Sequence, residues 1–352
     1  MKFEKKILQS DFTRCYSVAS FAAQGEIKVF YATEGEGACY AFSGPDCSVK
    51  ETVWSEPGGT MGMVPVPGRD GDFLAVQRFF RLYQWGEACL VWVEAVPGGG
   101  WRVHPLFTLP YLHRFDILRG ADGRCHLLVC QLAKGKDTRE DWSRPGCIYT
   151  APMPSSWDEP IRLTPLKNDI FQNHGYCRVT VNDRERGLVT GREGVFLVTP
   201  PRTEDREWEL RRLLDRPVSD AAFADIDGDG EDEMACLEPF HGNVFRVYKN
   251  IGGSYRCVHE LDDHSDFYHV VWGGKLAGKN VFIGGCRRGS KLLFALSMEN
   301  GAFTYHRIEG DVGPSNVAVL HATLDNAHIT HGRDCILSAN REIAEAALYY
   351  VE

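Results

Sequence analysis

The sequence predicts an all-β fold, a seven-bladed β-propeller of four-stranded antiparallel blades, on three observations. A polar residue opening an apolar run recurs nine residues ahead of a turn: His113 before Asp122, His174 before Asp183, Asp220 before Asp229 and Asn316 before Asp325. Weaker copies begin at Cys15, Met61 and His269, so seven starts stand 46, 52, 61, 46, 49 and 47 residues apart, the length of one four-stranded unit. The 36 Gly, 19 Phe, 13 Tyr and 8 Trp suit many short strands and tight turns, and no segment holds a long 3.6-residue apolar period.

Taken in order, the first unit runs from Cys15 to a turn at Gln24-Gly25, and the second from Met61 to Asp70-Gly71. The third carries an insertion at 134–145 and the seventh another at 324–333; long loops on a rigid scaffold are where binding groups concentrate. The seventh unit is short, with strands expected near 317–321, 336–339 and 346–351. The opening segment, residues 3–9, is expected to supply its missing outer strand and close the ring, which leaves no free sheet edge. A chain of 352 residues ordinarily suggests two domains. A ring shares its core between neighbouring blades, however, and no linker interrupts the repeat, so residues 1–352 read as one domain.

Within the fifth unit lies Asp225-Ile-Asp-Gly-Asp-Gly-Glu-Asp-Glu233. Asp225, Asp227, Asp229 and Glu233 stand at its first, third, fifth and ninth positions, a spacing that turns oxygen ligands inward on a tight loop and suits a structural Ca²⁺. An EF-hand is excluded, because the twelfth position holds Cys236 instead of a bidentate Glu. The flanks at 218–223 and 234–237 are short and apolar, so the loop joins two strands. This stretch resembles the turn of FG-GAP or VCBS repeats, the propeller blades also found in integrin α-subunits. The resemblance covers one blade strongly and the others through spacing alone, and it implies a propeller with calcium tying a strand turn.

The N-terminal residues show no apolar signal core and no window approaches the roughly 18 apolar residues of a membrane span, so a soluble, cytoplasmic chain without a membrane partner is expected. Twelve cysteines are scattered without a Cys-x-x-Cys pair, and Cys130, Cys236 and Cys335 fall in strands, where cysteine acts as a small hydrophobe. Free thiols follow. A net charge of −9 argues against general affinity for nucleic acid.

Equivalent starts in a ring face one central channel. Four consecutive units contribute His113, His174, Asp220 and His269, with Asn316 next, a donor set suited to Zn²⁺ or Mn²⁺ or to metal-free acid–base chemistry. The alternative is a set of channel residues bonded only to water and backbone. A one-residue slip of the alignment would turn such a side chain to the opposite face. Loops after the second strand of each unit return to the same mouth. They carry Arg78, Lys134, Lys136, Arg192, His241, Arg287, Arg288 and Arg341, a basic collar for a carboxylate or sulfate unless each cation pairs with Glu193, Glu238 or Glu342. Trp142 and Tyr176 offer platforms for a sugar ring or simply pack the loops. His321, His328 and His331 belong to the opposite face and read as structural or solvent-exposed.

No Gly-x-Ser-x-Gly elbow, phosphate-binding loop, dinucleotide fingerprint or zincin helix is present, and a glycosidase would need two placed carboxylates where the ring offers only Asp220. The expectation is a lyase or dehydratase acting on an acidic, uronate-type sugar or oligosaccharide. Arginines or a metal would neutralise the carboxylate while His113, His174 or His269 removes the adjacent proton. The chain resembles propeller polysaccharide lyases and the propeller domain of aldos-2-ulose dehydratase in architecture, without a complete catalytic motif. The alternative is a non-catalytic propeller that binds an anionic carbohydrate or a protein partner.

Overall fold

Short apolar runs broken by glycine-bearing turns pair with their sequence neighbours, and the outcome is seven sheets of four antiparallel strands, six of them in simple chain order. The computed structural model describes residues 1–79, 85–203 and 207–352. The innermost strands are Cys15–Ala23, Met63–Pro65, Leu112–Arg119, Tyr176–Val181, Asp220–Ala224, Tyr268–Leu276 and Pro314–Leu320, each beginning within two residues of a predicted start. Neighbouring blades touch in turn around the ring, and Pro314–Leu320 of blade 7 packs against Cys15–Ala23 of blade 1.

Phe3–Gln9 closes that ring as expected. It forms the outer strand of blade 7 and pairs antiparallel with Glu345–Val351, Phe3 standing opposite Val351. Lys2 and Glu352 exchange backbone hydrogen bonds of 2.9 and 3.0 Å. Lys5 Nζ sits 2.8 Å from the Glu345 carboxylate, and Arg333 bonds Glu4 and Glu352 at 2.8 and 2.9 Å.

Because each sheet is covered on both faces by its neighbours, several middle strands are buried along their whole length, as in Gly194–Thr199, Glu233–Glu238 and Cys335–Asn340. Outer strands such as Ser254–Glu260 are largely exposed. The core therefore lies between blades. Val29 and Tyr31 of blade 1 pack with Leu337 and Leu348 of blade 7, and Leu237 and Phe245 of blade 5 with Phe282 and Phe294 of blade 6. Polar ties cross the same seams. Tyr31 donates its hydroxyl to the Ala347 carbonyl at 2.7 Å, and Asp116 of blade 3 accepts Arg178 Nε at 2.9 Å and the Tyr176 hydroxyl at 2.7 Å from blade 4.

All twelve cysteines are free thiols. The seventh-blade insertion holds one short helix, Ala327–Thr330; His321 Nδ1, just before the insertion, lies 3.1 Å from Asp334, and His331 Nε2 lies 2.6 Å from Asp46. Among the described residues no helix is long and apolar enough to cross a membrane.

Candidate binding site at the channel mouth

In blades 1, 3, 6 and 7 the pairing of the first two strands skips one residue: Tyr16, His113, His269 and Ser315 respectively. Such a bulge re-aims the skipped side chain. Tyr16, His113 and His269 thereby line a cavity of about 540 Å³ at the channel mouth. The occupant of the ring in blade 1 is thus Tyr16 and not the predicted Cys15, and in blade 7 the skipped residue is Ser315, not Asn316. Blade 5 has no bulge at this place. Asp220 pairs regularly with Leu237, its carboxylate accepts the Ala221 N–H at 2.9 Å, and it lies outside the cavity lining. Burial pushes this carboxyl up to about 7 against the opposing charge of Arg114.

The histidines are held by their neighbours' backbone. His113 Nδ1 donates to the His174 carbonyl at 3.0 Å, His174 Nδ1 to Ser219 at 3.2 Å and His269 Nδ1 to Ser315 at 2.6 Å. A carbonyl only accepts, so each Nδ1 carries the proton and each Nε2 keeps a lone pair. Every bond also ties one blade to the next.

His241 arrives from the loop after the second strand of blade 5, in the left-handed region at φ 47°, with its N–H 3.2 Å from Ser219 Oγ. Its ring stacks between Phe240 and Phe267, at centroid distances of 3.9 and 4.2 Å. Its Nε2 stands 3.1 Å from His174 Nε2, and the Tyr16 hydroxyl is 3.3 Å from His269 Nε2. Ligand nitrogens of His174, His241 and His269 all lie within 4.8 Å of one another. The expected metal set was His113, His174, Asp220 and His269. The geometry groups His174 and His269 with His241 instead, while His113 leans on His174 at a centroid distance of 4.6 Å outside that group.

Burial lowers the proton affinity of all four imidazoles, and for His174 burial with the charges of Arg114 and Arg287 pushes the pKa down to about 3. These rings are neutral at pH 7. Arg114, one residue past His113, donates to the Met61 carbonyl and reaches Asn316.

The cavity is lined by six cationic side chains, Arg14, Lys136, Arg139, Arg287, Arg288 and Arg341, against the three carboxylates Glu34, Glu140 and Glu342. The mouth of an acidic protein is therefore basic. Arg341 bonds Glu34 at 2.6 Å and Glu342 at 2.9 Å, and Arg287 bonds Glu342 at 2.9 Å. Arg139 and Arg288 are exposed and form no ion pair among the described residues. Lys136 lies 3.2 Å from the centre of the Trp142 ring, and burial pushes it down to about 8.

Of the predicted collar, Lys136, Trp142, His241, Arg287, Arg288 and Arg341 line the cavity. Arg78, Lys134, Arg192 and Tyr176 do not: Arg78 faces Glu87 at 3.7 Å, Arg192 lies over Phe171, and Tyr176 serves the seam between blades 3 and 4. Tyr16, Arg114, Arg14 and Arg139 were not anticipated. Their signal was adjacency, since three of them flank a predicted start and Arg139 lies inside the 134–145 insertion.

The acidic turn folds as expected around Gly228 and Gly230, at φ 77° and 91°. Asp225, Asp227 and Asp229 converge, but Lys249 from the strand Val244–Ile251 inserts its ammonium among their oxygens. It bonds Asp229 at 2.7 Å, Glu233 at 2.8 Å and also Asp227, which raises the lysine pKa. The donor oxygens suit Ca²⁺, yet a calcium ion would have to displace that ammonium.

No protein-family model matches this chain, and no curated protein matches it. Solved structures do. The chain is similar to Saccharomyces cerevisiae Sqt1, with a TM-score of 0.61 and 8% identity over 100% of this chain and 98% of that one. It is similar also to the Dos1 propeller, with a TM-score of 0.58 and 6% identity over 95% and 77% of the two chains. At such identities the likeness is one of fold, and the class it defines together with the sheet order is the seven-bladed β-propeller.

Proposed function

We propose that this protein is a binding propeller whose channel mouth receives the anionic group of a sugar-sized ligand such as a uronate. The observation that carries the reading is the excess of cations around a cavity of about 540 Å³, a volume within the range of small-ligand sites. Arg139 and Arg288 are placed to meet a carboxylate or sulfate, and Phe240, Phe267 and Trp142 offer apolar faces beside them. Elimination chemistry has less support. A base works best with a pKa near the working pH, and His174 at about 3 holds a proton too weakly.

The test is calorimetric titration, in the presence of a chelator, with glucuronate oligosaccharides and their neutral counterparts. Saturable, salt-sensitive binding of the acidic series alone is expected, weakened in Arg139→Ala and Arg288→Ala. Equal binding of both series, or none, would overturn the reading. Ultraviolet absorbance of an unsaturated uronate, scanned over the same panel, reports any lyase activity.

The fold likeness favours no ligand, and an acidic protein segment presents the same carboxylate. Its observation is the exposure of Arg139 and Arg288 at the rim. Competition between a poly-glutamate peptide and the uronate separates the two. The acidic turn we read as an FG-GAP-type loop in which Lys249 stands where a cation would.

A further inference from the structure

We infer that His174, His241 and His269 form a binding site for a single divalent transition metal of the zinc class, with one coordination position open to the channel cavity. Three neutral imidazoles and no carboxylate are the ligand set of an open site, in contrast to the closed four-ligand sets of structural zinc. The donors converge. The Nε2 atoms of His174 and His241 are 3.1 Å apart, close to the roughly 3.3 Å spacing of two nitrogens on a tetrahedral ion with bonds of about 2.0–2.1 Å. All three ligand nitrogens lie within 4.8 Å.

Orientation is already provided. The carbonyls of Ser219 and Ser315 hold the Nδ1–H groups of His174 and His269, so both Nε2 lone pairs are presented in the tautomer a metal requires. His241 is held between Phe240 and Phe267, so its ring faces the other two imidazoles from a loop. Arg114 and Arg287 oppose the added charge of a cation. Their field draws an anion to the open position, and Tyr16, 3.3 Å from His269 Nε2, stands beside it.

The inference does not depend on any sugar ligand. Chelator-stripped protein is titrated with Co²⁺ alone. One equivalent per chain is expected, with the visible bands of a four-coordinate ion and without the near-ultraviolet band of a thiolate ligand. His174→Gln and His241→Gln should each abolish that uptake, whereas a His321, His328, His331 triple Gln variant should retain it. His241 lies on a partly exposed turn, so its variant is the one expected to keep the fold, checked by its melting curve. Absence of saturable uptake by the wild-type protein overturns the inference, as does uptake that survives His241→Gln. Uronate binding to the stripped protein without Co²⁺ uptake leaves the binding function standing and removes the metal.

Discussion

Arg114 of blade 3 reaches across the channel to Asn316 of blade 7, its Nη2 3.4 Å from the amide oxygen, while its Nη1 bonds the Met61 carbonyl of the segment entering blade 2. One side chain thus braces three parts of the ring and sets a positive charge near enough to His113, His174 and His269 to lower their proton affinity. Arg114→Met should leave the Met61 carbonyl and the Asn316 amide without their donor. The expected cost is about 1–3 kcal/mol in urea unfolding, with weaker uronate binding because the field at the mouth drops.

Asp220 gives the protein a pH-dependent stability. Its carboxyl rises from 3.8 in the unfolded chain to about 7 in the folded one, so the unfolded state ionises first. Stability should fall as pH rises from about 4 to about 7 and then level off, a loss of roughly 4 kcal/mol at most. Asp220→Asn keeps the Oδ1 that accepts Ala221 N–H and removes the ionisation. Melting curves should show it more stable than wild type at pH 8 and little changed at pH 4; equal curves at pH 8 would refute this.

Asp116 is the polar hinge pin between blades 3 and 4. Its side chain is 5% exposed and accepts from Arg178, Tyr176 and its neighbour Ile117 N–H. Asp116→Ala strands all three donors and should cost roughly 3 kcal/mol, read as a shifted urea midpoint at unchanged slope. Adding Arg178→Met should return part of the loss, since the charge left without its partner is gone.

Lys249 decides the behaviour of the acidic turn. Wild-type melting should be insensitive to millimolar Ca²⁺, because the ammonium already bonds three carboxylates. Lys249→Met should be destabilised in chelator and regain stability as Ca²⁺ is added. A wild-type melting point that climbs with Ca²⁺ would show that the ion displaces the lysine.

The repeat was legible because a blade is a local object: its strands pair with sequence neighbours, so spacing alone reports it. The site was legible only in part. His174 and His269 were found from their register, but the bulges that skip Tyr16 and Ser315 leave no mark in a period of two. Asp220 shares the alignment column of the histidines and yet lies outside the cavity lining, in a strand that pairs regularly and with its carboxylate turned to the Ala221 N–H. His241 was seen as part of the collar, not as a partner of His174, since loop curvature decides that distance. Lys249 lies a full strand away from the acidic turn it fills, beyond the reach of any local motif.

Removal of residues 1–10 should leave the edge of Glu345–Val351 unpaired and yield a chain that aggregates or unfolds well below the wild-type melting point; a monomeric variant with wild-type melting would show that the strand is dispensable.

The pairing of Phe3 with Val351 also imposes a waiting time on biosynthesis. At roughly 5–20 residues per second, the two partners leave the ribosome about 20–70 s apart. During that interval blade 1 has no blade 7 to cover it, and Val29 and Tyr31 meet solvent or some other nascent surface. A cell making this protein must shield that half-built wheel, so its yield should respond to chaperone supply more than its finished stability would suggest.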